Sequence, residues 1–124
     1  MEINELQEEV FETAKVHGWW PLDDDAGAES IEFATVLTDQ VNIPEKIALM
    51  HSELSEALEH FRAGQMDLFT DETGKPDGFW IELGDCVIRI LDLAGAYDID
   101  MEYMLRVKAD YNKTRPYRHG DKKC

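Results

Sequence analysis

Two acids, Glu82 and Asp85, interrupt a run that is otherwise apolar: Phe79, Trp80, Ile81 and Leu83 before or between them, then Val87, Ile88, Ile90 and Leu91. A carboxylate in an apolar setting costs several kcal/mol unless it is paired or takes up a proton. Asp85 has Arg89 one helical turn on, so an internal ion pair is the alternative to a ligand role for it. Glu82 has no cation at that spacing, since Gly78, Phe79 and Cys86 are its near neighbours. A bound metal is the more economical account of Glu82. A second acidic pair, Glu53 and Glu56, sits beside the apolar stripe of an upstream segment, at a shoulder that faces either a groove between helices or water. Facing Glu82 and Asp85, it would complete a cage of four carboxylates. Oxygen ligands without cysteine, and without the Glu-x-x-His of di-iron bundles, suit Mg2+, with Mn2+ as a substitute. His60, one turn beyond Glu56, is either near this cage or an ordinary surface histidine. Spacing alone decides nothing, because 27 acidic residues in 124 produce pairs such as Glu2/Glu5, Glu9/Glu12 and Glu29/Glu32 by composition.

The formal net charge of −15 disfavours nucleic-acid partners, whose backbone such a chain repels. A phosphate-bearing ligand must then arrive with metal or meet a local group of cations. Such a group lies near the C-terminal end. Met101, Met104, Leu105, Lys108, Tyr111, Asn112 and Arg115 share one helical face, and Arg118 and His119 extend its basic character. Lys108, set in an apolar stripe, meets either Glu82 or an anionic ligand, or snorkels to solvent.

The elements that would position these residues are helices. A stripe of Leu6, Val10, Phe11 and Ala14 predicts a helix over 4–17, stopped by Gly18. Residues 19–27 read as a loop, and 29–41 are ambiguous between a short helix and irregular chain. Pro44 starts a second helix with Ile47, Met50, Leu54, Ala57, Leu58 and Phe61 at core spacing, and Gly64 ends it. Residues 65–76 read as a loop. Asp77 is placed to cap a third helix over 78–96, apolar on most sides and so expected to be buried. Asp100 caps a fourth, broken before Pro116. No strand is expected. The reading is an all-α, four-to-five-helix bundle, one domain over 1–124. Its core is completed by oligomerisation, because so small a chain cannot house the third helix alone. No apolar run approaches the ~20 residues of a membrane span and no signal peptide is evident, so a cytoplasmic protein without membrane partners is expected. Cys86 reads as a reduced core residue and Cys124 as an exposed thiol.

Three ordered segments resemble the all-α nucleoside triphosphate pyrophosphohydrolases, the superfamily of MazG-like proteins and dimeric dUTPases. His51-Ser52-Glu53-Leu54-Ser55-Glu56-Ala57-Leu58-Glu59 is similar to the MazG-like second helix, and Glu82-Leu83-Gly84-Asp85-Cys86-Val87-Ile88-Arg89 to its third. The stretch from Lys108 to Gly120 is similar to its C-terminal signature. The resemblance spans 44–120. It implies that Glu53, Glu56, Glu82 and Asp85 hold Mg2+, and that water attacks the α-phosphorus of a nucleoside triphosphate to release pyrophosphate. A glutamate, with Glu53 preferred, would be the general base. Lys108, Asn112 and Arg115 would hold phosphate oxygens, and the protein would be a homodimer or homotetramer. A narrower activity on dUTP or dCTP, or a non-catalytic helical interaction module, are the competing readings. The adjacent Trp19 and Trp20 are candidates to stack on the base, or else pack against the bundle or a subunit interface.

Overall fold

The computed structural model describes residues 2–23 and 31–117. Four helices dominate it: α1 (Ile3–Val16), α2 (Ile43–Arg62), α3 (Phe79–Ala96) and α4 (Met101–Lys113). Their ends follow local chemistry. Asn42 caps α2 by accepting from the Glu45 amide at 3.0 Å, and Pro44 occupies the first turn, where its missing N–H costs nothing. Asp100 caps α4 in the same way, from the Tyr103 amide at 2.9 Å. Gly18 and Gly64, both at positive φ, close α1 and α2.

The chain differs from its sequence reading between α2 and α3. Phe69–Thr70 (β1) and Pro76–Asp77 (β2) pair antiparallel, with Phe69 opposite Asp77 and Thr70 opposite Pro76. A ladder this short shows no alternating pattern, so the segment reads as loop. Its turn is organised by Asp71, whose Oδ1 accepts from the Thr73 amide at 2.8 Å, the Thr73 hydroxyl at 2.6 Å and the Lys75 amide at 3.1 Å. Asp77 therefore ends a strand, and Gly78 takes the cap position of α3 with φ 121°. The ambiguous region forms two single 3-10 turns, Ile31–Phe33 and Thr38–Gln40, with Leu22 bridging to Val36.

One core lies where α1 meets α3. Ala14, Trp20 and Val36 are buried there against Phe11, Leu22, Val41, Leu93 and Ala96. The helices come close at Gly95, where a Cβ would lie 2.8 Å from that of Phe11. The second contact is the α2–α3 seam, which buries Met50, Ala57, Cys86 and Leu91. Both helices also carry apolar residues that the single chain leaves outside. Leu54, Leu58 and Phe61 of α2 and Trp80 and Val87 of α3 are all 46–62% exposed. Sequence periodicity assigns these to a core; the described helices leave these flanks of α2 and α3 uncovered. Among the described residues, no helix is long and apolar enough to cross a membrane.

Candidate functional site

The α2–α3 seam carries its acids at the level of its apolar contacts. Glu53 lies between the buried Met50 and Ala57 on α2, and Glu82 lies one turn before the buried Cys86 on α3. Both are themselves buried, at 7% and 4% exposure. Ligand oxygens of Glu53, Glu82 and Asp85 all lie within 4.8 Å of one another. Three of the four carboxylates singled out by sequence thus converge. Glu56 stands exposed at the rim, close enough to perturb both Glu53 and Glu82.

Packing these charges together has electrostatic consequences. Burial, then the neighbouring carboxylates of Asp77, Glu53 and Glu56, push the Glu82 carboxyl up to about 9. Asp85 is raised by burial and by the charge of Glu53. Glu53 goes the other way. Burial pushes it upward, but hydrogen bonds from Arg89 and Glu82 outweigh that and hold it below the ordinary carboxylate range. The Arg89 Nε donates to Glu53 Oε1 at 2.9 Å. Arg89 therefore gives its hydrogen bond to Glu53 across the seam, while its charge still favours the ionised form of Asp85 one turn away; intrahelical spacing reveals only the second. Glu82 Oε2 is buried without a hydrogen-bond partner.

The seam opens on two clefts. One, of about 870 Å³, is lined by Glu53, Asp85, Arg89 and Asp92 together with Lys46, Trp19 and Trp20. The two tryptophans play different parts in its wall. Trp20 is 5% exposed; its Nε1 donates to Asp92 Oδ1 at 2.8 Å, its ring meets Phe11 edge-on, and Lys46 lies 4.3 Å from its centroid. It packs as a structural residue. Trp19 is 69% exposed, leaving its indole free to stack. Asp92 is pushed to about 6 by burial, against the opposing effects of Trp20 and Lys46.

The second cleft, of about 600 Å³, reaches Glu82 from the other side and is lined by Glu56, His60, Arg62, Lys75 and Asp77. His60 contacts Asp77 at 2.9 Å and Glu82 at 3.3 Å through Nε2. Sequence spacing located His60 only loosely and missed Asp77 and Lys75 as neighbours of the acids. The charge of Lys75 acts on both Asp77 and Asp85. Its proximity follows from the hairpin, whose pairing carries no sequence signature beyond the run Lys75-Pro76-Asp77-Gly78.

The cations expected from the last helix lie elsewhere. α4 buries none of its residues and is tied to α1, with Glu102 accepting from the Ile3 amide at 3.1 Å and from Asn4 Nδ2 at 3.2 Å. Lys108 and Arg115 flank the Tyr111 ring at 5.1 and 5.7 Å. Neither they nor Asn112 line either cleft. Arg118, His119 and Cys124 fall outside the described residues. Cys86 is a buried free thiol, as its setting predicts.

What fold and site define is a mostly helical chain with a carboxylate-rich centre between its two longest helices. Comparison of the chain with protein-family models, with curated proteins and with solved structures finds no match.

Proposed function

We propose that this chain is a metal-dependent nucleoside triphosphate pyrophosphohydrolase of the MazG-like kind, converting its substrate to the monophosphate and pyrophosphate. One observation carries the reading: three carboxylates within 4.8 Å on a buried seam, one of them with an unpartnered oxygen, beside a cleft with an exposed indole on its wall. The donor set fits Mg2+. The oxygens are hard, and the burial and crowding with other carboxylates that raise Glu82 and Asp85 are what a divalent cation offsets. Glu53, Glu82 and Asp85 would hold it, with Glu56 at the rim as the fourth ligand. Bound there, Mg2+ supplies charge neutralisation for phosphate oxygens and acidifies water.

The chain's own residues do the rest. Glu53, kept ionised by Arg89, is the carboxylate best suited to accept the proton of the attacking water. A water oxygen bonds to the α-phosphorus, the bond from that phosphorus to the bridging oxygen breaks, and pyrophosphate leaves. Trp19 offers a stacking face for the base. Lys108, Asn112 and Arg115 would hold phosphate oxygens. Since none of the three lines either cleft of its own chain, we assign these residues to the site of a second copy. The exposed apolar faces of α2 and α3 would be the surfaces on which a homodimer or homotetramer assembles.

The test is turnover of a panel of ribo- and deoxyribonucleoside triphosphates with Mg2+ or Mn2+, scoring pyrophosphate and orthophosphate separately. The expected products are pyrophosphate and monophosphate, abolished by chelator. One dominant substrate marks a specialist such as a dUTP or dCTP diphosphatase. No turnover of any triphosphate removes the reading in favour of a non-catalytic helical module.

A further inference from the structure

We propose that His60, Asp77 and Glu82 form a second metal position, distinct from the Glu53–Glu82–Asp85 set and joined to it through Glu82, that takes a divalent transition cation such as Mn2+ in preference to Mg2+. The position goes beyond the proposed hydrolysis and does not depend on it.

The first argument is the orientation of the imidazole. The Oε1 of Gln65 lies 2.9 Å from His60 Nδ1, placed to accept a hydrogen from it. In the neutral ring this leaves Nε2 as a bare lone pair, and that lone pair faces Asp77 Oδ1 at 2.9 Å and Glu82 Oε1 at 3.3 Å. Three acceptors converging in this way require a positive centre between them, either a proton on Nε2 or a metal ion. A hydrogen bond that fixes one ring nitrogen while the other ligates is the arrangement that metal-binding histidines use.

The second argument is distance. Two ligands on metal bonds of about 2.1 Å, at angles between 90° and 109°, lie about 3.0–3.4 Å apart. The His60–Asp77 and His60–Glu82 separations, 2.9 and 3.3 Å, are close to that interval, and all three ligand atoms fall within 4.8 Å of one another. The third is burial. Glu82 is 4% exposed, yet its Oε2 has no hydrogen-bond partner. A carboxylate with both faces lined by ligand groups and one oxygen unused is suited to bridging two cations.

Metal preference follows from ligand type. The Glu53–Glu82–Asp85 set offers only carboxylate oxygens, which suit Mg2+. An imidazole nitrogen among the ligands favours transition cations, which bind nitrogen more readily. The two positions would therefore differ in selectivity although they share a side chain.

Mn2+ titration of the full chain, read by calorimetry and by pulsed electron paramagnetic resonance, tests this. Two Mn2+ per chain are expected, one showing 14N modulation from a coordinated imidazole. His60→Gln, checked for fold by circular dichroism, should abolish that modulation and weaken one site by about tenfold or more, leaving the other. Asp77→Asn should weaken the same site, and so separates metal loss from any local disturbance at His60. Glu53→Gln should spare the nitrogen-coupled Mn2+. If it does so while the panel of triphosphates gives no turnover, this position stands and the hydrolase reading falls. Absence of nitrogen modulation in the wild type, or modulation unchanged by His60→Gln, overturns the proposal and leaves a proton between His60 and the acids.

Discussion

The α2–α3 seam and the outer helix α4 both mix charged with apolar residues, to opposite effect. On the seam, Glu53 and Glu82 are nearly inaccessible and are fixed by partners from the facing helix, Arg89 for one and His60 for the other. On α4 no residue is buried, and Lys108, with Arg115 just beyond the helix end, lies against the ring of Tyr111. The seam holds carboxyl groups preassembled at a desolvation cost, visible in the raised carboxyls of Glu82 and Asp85. α4 holds cations at no such cost, because water still solvates them. Within one chain the acidic centre lies between α2 and α3, and the cations of α4 stand apart from it on a helix held to α1; the proposal that a second copy joins them rests on that separation.

The most damaging change to the seam should be Glu82→Gln. Loss of a shared ligand should reduce turnover by about a thousandfold or more and remove metal binding at both positions, with the fold retained. The same substitution has a signature in stability. The Glu82 carboxyl stands at about 9 in the folded chain against an ordinary 4.5, so folding retains its proton and unfolding releases it. Stability of the metal-free protein should be full below about pH 4.5 and fall as pH rises through 9. Thermal melts across that range should show the slope shrinking in Glu82→Gln, and excess Mg2+ should shrink it in the wild type.

Lys108→Ala addresses the other half. It should reduce turnover by about a hundredfold while changing stability by less than about 0.5 kcal/mol, as expected for an exposed side chain. Co-refolding Glu82→Gln with Lys108→Ala should then restore part of the activity, since a mixed assembly contains one site with both residues intact. No recovery would place Lys108 and the acids in the same chain. A smaller, purely structural effect is expected at the entrance to α3. A Cβ at Gly78 would lie 2.5 Å from the Asp67 carbonyl oxygen at φ 121°, so Gly78→Ala should cost about 2–3 kcal/mol in denaturant unfolding. The tryptophans give the finest contrast. Trp20→Phe removes the donor to Asp92 and should cost about 1–2 kcal/mol, whereas Trp19→Ala should leave stability within about 0.5 kcal/mol and weaken nucleotide binding.

The helices were legible in the sequence because their stop and start signals are local: Gly18, Pro44, Gly64 and Asp100 act within a turn of where they stand. Glu82 and Asp85 were legible because acids in an apolar helix need an explanation whatever the tertiary structure. Other features depend on contacts between segments and left little trace. Arg89 reaches Glu53 across the seam, a pairing over 36 residues that helical spacing cannot propose against the nearer Asp85. Asp77 read as a cap because it precedes the helix, and only the hairpin turns it toward His60. Leu54, Leu58 and Phe61 read as core because periodicity reports which residues need covering, not which chain covers them.

Every residue of the two ligand groups lies between positions 53 and 85, on one helix, a short hairpin and the next helix. Contacts so close along the chain form with little loop-closure entropy and favour fast folding. The acidic centre should therefore belong to the part of the molecule that organises early, with α1 closing over α3 afterwards. That order is visible in φ-values, which should be higher for Ala57 and Cys86 than for Ala14.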